Sequence, residues 1–177
     1  YQGHWLDVSR PWDLLSVNNT LIQDSSQPDV RTATVAPSAV VNENVLLGED
    51  VVIHPQAAVL EGVTLGANVS IHAGAIVKNS ILLPDTTVKE GAVVTDCIVG
   101  ANTTIGANTT IEGGNADVVL NDNVHRDVRF GGLLGDNVNI GANTTILPGT
   151  IIGNDAIIDS ATVISGRVDD DSHVMRG

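Results

Sequence analysis

A six-residue repeat constrains this chain more than any other feature, because a helix has a period of 3.6 residues and an isolated strand a period of two. An aliphatic residue recurs every six positions from Val35 to Ile111, with two steps of five, and again from Leu134 to Ile164. The twenty positions are Val35, Val41, Leu47, Ile53, Val59, Leu65, Ile71, Ile76, Leu82, Val88, Val93, Val99, Ile105, Ile111, Leu134, Ile140, Ile146, Ile152, Ile158 and Ile164. A unit this short buries its apolar face only by stacking on its neighbours, so the repeat predicts a solenoid.

A second column of residues indicates that the interior is narrow. Four residues after each aliphatic position stands a small or β-branched residue, such as Ala57, Cys97 or Thr103, and never a leucine, an aromatic ring or a charge. Aromatic residues make up only 2% of the chain, although a layered core normally relies on them. Cys97 belongs to this column, and we predict that it is an inert core thiol.

Units such as Ile105-Gly-Ala-Asn-Thr-Thr resemble the hexapeptide repeats of left-handed parallel β-helices. The resemblance implies three hexapeptides per triangular coil and an all-β fold of six to seven coils over residues 35–166. The repeat is interrupted once, which predicts an extruded loop at 112–133. We expect residues 167–177, which include three consecutive aspartates, to form a solvated acidic tail.

Charge limits the partners that this chain can have. Its 21 acidic residues against 8 Lys and Arg give a formal charge of −13, which argues against nucleic acid and anionic membrane surfaces. No apolar run approaches the roughly 20 residues of a membrane span. A single cysteine fits the reducing cytoplasm, and an acidic composition with two lysines indicates a halophilic source, which the family resemblance given below narrows to an archaeal one.

Residues 1–24 do not follow the repeat, and a helix is predicted to start near Pro11, since proline suits a first helical turn. Composition alone allows a cap over the first coil. The string Trp5-Leu-Asp-Val-Ser-Arg-Pro-Trp-Asp-Leu-Leu also resembles the closing segment of sugar-1-phosphate nucleotidylyltransferase catalytic domains, except for Ser9, where that family has glycine. The resemblance implies that Asp7 binds Mg²⁺ in the intact catalytic domain.

On this interpretation residues 1–24 are the remnant of a catalytic domain and residues 25–34 are a linker. The chain begins at Tyr1 rather than at a methionine, and we expect it to be the C-terminal piece of a longer enzyme. Without the upstream nucleotide-binding part, this piece is not expected to transfer nucleotides.

The loop at 112–133 contains the candidate catalytic residue. In bifunctional enzymes of the resembling type the β-helix is an acetyltransferase, and its general base is a histidine ten residues before the glycine of the next full hexapeptide. Counting back from Gly135 gives His125, although the residues around it differ from the family pattern. Arg126 and Arg129 of this loop are candidates for binding a substrate phosphate, because Arg presents a bidentate fork. Lys78 is a further candidate, because Val77-Lys78-Asn79 resembles the Val-Lys-Asn context of a lysine in that family, although it lies 47 residues before His125, about two coils too early. The alternative is that His125 only packs or caps within the loop.

Three further residues are expected to form an outward ladder. His54, His72 and Lys89 each follow a repeat aliphatic in successive coils, so they should stack at the strand spacing of about 4.8 Å. The ladder fits a subunit interface or an anion contact. A Zn²⁺ site like that of β-helical carbonic anhydrases, which have a similar fold, would need a further ligand.

These observations and the family resemblance leave three alternative functions open. The first is transfer of acetyl from acetyl-CoA to a hexosamine 1-phosphate of the glucosamine type, with sites between the prisms of a homotrimer or a dimer of trimers. The second is a non-catalytic oligomerisation or regulatory domain of a glucose-1-phosphate-type nucleotidylyltransferase. The third is a metal-dependent hydratase. Mg²⁺ is expected only for the missing catalytic domain.

Overall fold

The computed structural model describes residues 8–24, 32–120 and 123–177. Asp7 and residues 25–31 of the predicted linker lie outside these ranges. The helix α1 spans Pro11–Asp24 and begins at the proline that the sequence predicted. The strands are β1 (Thr34–Val35), β2 (Val40–Val41), β3 (Val45–Leu47), β4 (Val52–Ile53), β5 (Ala58–Val59), β6 (Val63–Leu65), β7 (Ser70–Ile71), β8 (Ile76–Lys78), β9 (Ile81–Leu82), β10 (Thr87–Val88), β11 (Val93–Thr95), β12 (Cys97–Val99), β13 (Thr104–Ile105), β14 (Thr110–Ile111), β15 (Asn115–Leu120), β16 (Asn123–Arg129), β17 (Gly132–Leu134), β18 (Asn139–Ile140), β19 (Thr145–Ile146), β20 (Thr150–Ile152), β21 (Ile157–Ile158), β22 (Val163–Ile164), β23 (Arg167–Val168) and β24 (His173–Val174).

The strands form a triangular prism, which confirms the predicted left-handed parallel β-helix. Within the described ranges, the first sheet has eight strands (β1, β4, β7, β10, β13, β18, β21, β24) and the second has seven (β2, β5, β8, β11, β14, β19, β22). The third sheet also has seven strands (β3, β6, β9, β12, β17, β20, β23), and β15 pairs separately with β16. Because each full coil contributes one strand to each face, these counts correspond to seven coils and one additional strand.

The repeat aliphatics fill the prism, with a correction at two positions. Val77 and Val94 are fully buried and stack on each other, whereas Ile76 is 38% exposed. The six-residue count predicted Ile76 and Val93 as interior positions. That prediction was wrong, because the inward residue is the next one along the chain in each case. The five-residue steps follow Val77 and Val94, at short corners where Asn79 (φ 43°) and Asp96 (φ 55°) adopt left-handed backbone conformations.

The small and β-branched residues of the second column lie inside the prism, and their buried hydroxyl groups form hydrogen bonds there. Thr103 and Thr109 are fully buried, and their hydroxyls donate hydrogen bonds to the carbonyls of Gly135 and Gly141, each at 3.0 Å. Cys97 is also fully buried, and burial raises the pKa of its thiol. The thiol therefore stays protonated at neutral pH, as an inert core residue should.

The β-helix continues past residue 166, so the predicted acidic tail is wrong. Strand β23 pairs with β20, and β24 pairs with β21. Val168 follows Ile164 by only four residues, through Gly166 at φ 77°, and this short corner breaks the six-residue count. The count resumes between Val168 and Val174.

Asp159 and His173 hold the last coil together through a contact between their side chains. His173 Nε2 lies 2.9 Å from Asp159 Oδ1, and the backbone N–H of Arg176 donates to Asp159 Oδ2 at 3.3 Å. The His173 contact, and then the Arg176 N–H, hold the pKa of Asp159 below its ordinary value. This stabilisation is therefore present above the unfolded-state pKa of about 3.9 and is lost as the pH falls through the lower folded value.

We expect the last coil to loosen selectively in acid. The amide of Ile157 donates to Ser172 in this coil, and its hydrogen-exchange protection factor should fall below about pH 4. Asp159→Asn should abolish that pH dependence. A protection factor that falls equally in both proteins would contradict the assignment.

The helix and the interrupted segment both pack on the outside of the third sheet. Trp12, Leu15 and Ile22 of α1 are buried, and Asn18 Nδ2 donates to the Gly62 carbonyl at 3.1 Å. The helix therefore lies along the side of the prism and does not cap its first coil. The predicted extruded loop is an antiparallel hairpin of β15 and β16, which packs onto the same face through Val118 and Phe130.

Candidate functional site

A cavity of about 490 Å³ opens where α1 and the hairpin meet the corner of the prism between the second and third sheets. Each of the three contributes to its wall. The lining residues are Trp12, Leu15, Ser16, Asn19, Glu61, Lys78, Asn79 and Arg129. Two of the three residues predicted to bind phosphate, Lys78 and Arg129, therefore line one cavity, although they are distant in the sequence. Arg126 is exposed on β16 and is not among the lining residues.

Each cation of the cavity has a carboxylate partner. Lys78 Nζ lies 3.0 Å from Glu61 Oε1, and the hydrogen bond from Lys78 lowers the pKa of Glu61. Arg129 Nε lies 3.1 Å from Asp96 Oδ2, with the Asp96 side chain 1% exposed and that of Arg129 66% exposed. Asp96 thus fixes one edge of the guanidinium and leaves most of Arg129 accessible to a ligand.

Parallel register explains why these residues meet. Lys78 pairs with Thr95 on the neighbouring coil, and Asp96 follows directly. Asp96 therefore lies at the short corner that the five-residue step creates, close to the point where the hairpin returns to the prism. No sequence motif pointed to Glu61, Asn79 or Asp96, and their only signal was the break in the six-residue count near two of them.

A chain of hydrogen bonds crosses the cavity floor from the helix to the hairpin. Asn19 Nδ2 donates to Asn79 Oδ1 at 2.9 Å. Asn79 Nδ2 donates to Asp96 Oδ1 at 2.6 Å, and Arg129 Nε donates to the other carboxylate oxygen. These four side chains connect α1, two coils of the prism and β16.

His125 adjoins the cavity through Trp12 rather than lining it. The residue lies on β16 opposite the buried Val118, and its ring is half-buried. The centroids of the His125 and Trp12 rings are 5.2 Å apart in an edge-to-face arrangement. Trp12 also contacts Phe130, at 5.8 Å between centroids, so a rigid aromatic group supports the imidazole.

A second cavity, of about 400 Å³, lies beside the end of β15 and is mainly apolar. Its apolar wall consists of inward and outward residues of the third sheet, the adjoining Leu83, and Leu120 of the hairpin. The apolar residues that line it are Leu83, Ile98, Leu120, Leu133, Leu134, Ile151 and Ile152.

The predicted outward ladder is present along the corner between the first and second sheets. The backbone N–H groups of His54, His72 and Lys89 donate to equivalent carbonyls of successive coils, and the two imidazole centroids are 4.7 Å apart. His72 Nδ1 lies 2.9 Å from Glu90 Oε1, a contact that lowers the pKa of Glu90. In the described ranges no three His, Cys, Asp or Glu side chains are grouped as metal ligands would be.

Comparison with known families identifies the domain type. Residues 41–130 match the family described as the GMPPB C-terminal domain. The chain belongs to this family. Residues 131–166 match the bacterial transferase hexapeptide family of six repeats. Among the helices of the described ranges, none is long and apolar enough to cross a membrane.

Curated relatives match almost the whole chain. "Bifunctional protein GlmU" of Methanococcus vannielii is 28% identical and aligns with 98% of this chain and 47% of its own length. The protein of that name from Methanococcus maripaludis is 32% identical, over 98% of this chain and 48% of the relative. The chain spans about half the length of the curated relatives it matches.

A solved structure agrees with the fold. A mutant of AntD, an N-acyltransferase from Bacillus cereus crystallised with a dTDP-amino sugar and coenzyme A, superposes with a TM-score of 0.59. The two sequences are 15% identical, and the match covers 75% of each chain. This likeness shows the fold alone.

Proposed function

We propose that this domain transfers acetyl from acetyl-CoA to the amine of a hexosamine 1-phosphate, as the C-terminal part of a sugar-1-phosphate nucleotidylyltransferase. The similarity to bifunctional GlmU proteins over 98% of the chain supports a second activity of this kind. The observation that carries the proposal is the cavity in which Lys78 and Arg129 meet beside Trp12, the residue on which His125 packs.

In this proposal the two cations bind the sugar phosphate. Arg129 is anchored through Nε to Asp96 and still offers its outer N–H groups for charge-assisted hydrogen bonds. Lys78 would exchange part of its contact with the exposed Glu61 for the phosphate. Arg126, exposed on the same strand, would add long-range attraction for an anion.

His125 would act as the general base. The amine nitrogen attacks the thioester carbonyl carbon, a C–N bond forms and the C–S bond breaks. Neutral imidazole accepts the amine proton and returns it to the leaving thiolate of CoA. The apolar cavity beside Leu120 is our candidate for the acyl arm of acetyl-CoA. In the intact protein Asp7 would hold Mg²⁺ for the separate nucleotidyl transfer.

The test is CoA release from acetyl-CoA with glucosamine 1-phosphate, measured in high KCl to suit the acidic, halophile-like composition. Release that depends on the amino sugar supports the proposal, and glucose 1-phosphate is the matched control substrate. No release from a folded, oligomeric sample would favour the non-catalytic alternative. That alternative is supported by the carboxylate partners of both cations.

We also propose that the domain assembles as a homotrimer, alone or as a dimer of trimers, and acts in the cytoplasm. The support is one column of outward residues on the second sheet, which carries no charge along the whole prism, whereas Lys78 faces outward beside it at the end of β8. The residues of this column are Val40, Ala58, Ile76, Val93, Thr110, Thr145 and Val163. The ladder of His54, His72 and Lys89 borders this face and would lie at the edge of the subunit interface.

Val93→Glu should therefore dissociate the assembly, because it would bury an unpaired carboxylate at the middle of this face. Light scattering should show the trimer mass falling to that of a monomer. Thr104→Glu, at an outward position of the first sheet, should keep the parent mass. An unchanged mass for Val93→Glu would remove the second sheet from the interface.

A further inference from the structure

We propose that helix α1 is a working part of the acetyl-transfer site and that Trp12 is a positioning residue for His125. The inference rests on the proposed function and extends it, because it assigns a role to the segment that precedes the β-helix. Neither the hexapeptide repeat nor the matched range 41–130 includes this helix.

The first support is the contact between the two rings. His125 lies on a two-stranded hairpin that projects from the prism, and such ribbons are marginally stable unless they pack on something else. Trp12 provides part of that surface, beside the third sheet, since it is 9% exposed and contacts both His125 and Phe130. The orientation of the imidazole is therefore set from the helix.

The second support is the polar connection between the same helix and Arg129. Asn19 lies two turns after Trp12 on α1 and contacts Asn79, which contacts Asp96, which holds Arg129. The helix is thus connected to the hairpin twice, directly at the proposed base and indirectly, through Asn79 and Asp96, at the proposed phosphate ligand. Displacing α1 would remove the ring contact of His125 and the Asn19 partner of Asn79.

The two contacts predict different kinetic effects. A base that is displaced by about 1 Å can lose about 100-fold in rate, so Trp12→Leu should lower kcat at least about tenfold and change KM little. Trp12→Phe keeps an aromatic edge and should recover most of kcat. Asn19→Ala suits the helix and removes only the polar connection, so it should raise KM for the sugar phosphate severalfold and keep kcat.

The experiment combines these kinetics with NMR of the His125 ring in the full chain. The ring current of Trp12 shifts the His125 proton signals, and Trp12→Leu should move them whether or not the protein is active. Leu14→Ala, on the exposed side of α1, is the control and should change neither the kinetic constants nor the His125 signals. If Trp12→Leu fails to fold, Trp12→Phe should still produce a smaller shift.

The outcomes separate the two proposals. Parent kcat and unmoved His125 signals in Trp12→Leu would overturn the positioning role, even where His125 variants show that acetyl transfer is real. An inactive parent whose His125 signals move in Trp12→Leu would overturn the proposed reaction and with it the catalytic role of α1. The expected result is that Trp12→Leu loses kcat and shifts the His125 signals, and that Trp12→Phe recovers most of kcat.

Discussion

His125→Asn should lower kcat for acetyl transfer by about 10²–10⁴-fold, the usual contribution of a general base. Asparagine keeps a polar side chain of similar length on β16 but has no group that accepts a proton near neutral pH. KM for the sugar phosphate should change little, because Lys78 and Arg129 stay in place. The measurement is CoA release under saturating substrate.

The pH dependence of activity is a second test of the role of His125. A general base must be unprotonated to act, so the pH profile of the parent should contain a limb that the residual activity of His125→Asn lacks. His173→Asn, at the last coil and away from the cavity, is the matched control. A His125→Asn variant with parent kcat would leave the imidazole with a packing role on Trp12.

Among Gly→Ala substitutions near the site, Gly131→Ala should cause the largest loss in the free energy of unfolding. Gly131 is where the chain returns from the hairpin to the prism, and its N–H donates to the Asp96 carbonyl at 2.8 Å. An added Cβ would overlap the Thr95 carbonyl oxygen and lie 3.0 Å from Cys97 Sγ. Both neighbours belong to the rigid stacked coils, so we expect a cost of about 3 kcal/mol.

For a chain of this size, that cost lowers Tm by roughly 6–12 °C. Gly132→Ala is the control next to it, because its added Cβ meets only the Thr150 carbonyl oxygen at 3.1 Å and side chains at 3.7 Å or more. That variant should lose less than about 1 kcal/mol, since alanine also reduces the entropy of the unfolded chain. Equal Tm values for the two variants would contradict the argument from the Thr95 contact.

The site itself could be predicted only in part. The spacing from Gly135 singled out His125, and the local context singled out Lys78, but nothing in the sequence placed Lys78 near Arg129. Two features produced that proximity: the one-coil offset that pairs Lys78 with Thr95, and a hairpin that folds back onto the prism. Glu61 and Asp96 were missed for the same reason, because each acts through a partner that is distant in sequence.

The six-residue period by itself determined the parallel prism, since every aliphatic position must face inward for a stack of short units to bury its core. It failed where a corner has fewer residues than the period assumes, after Val77, Val94 and Ile164. Only the tertiary structure decided that α1 and the hairpin share one outer face, because that packing depends on the shapes of Trp12, Phe130 and the outward side chains of the third sheet. Inward positions repeat along the chain and are visible in sequence, whereas contacts on the outside of the prism occur once and have no period.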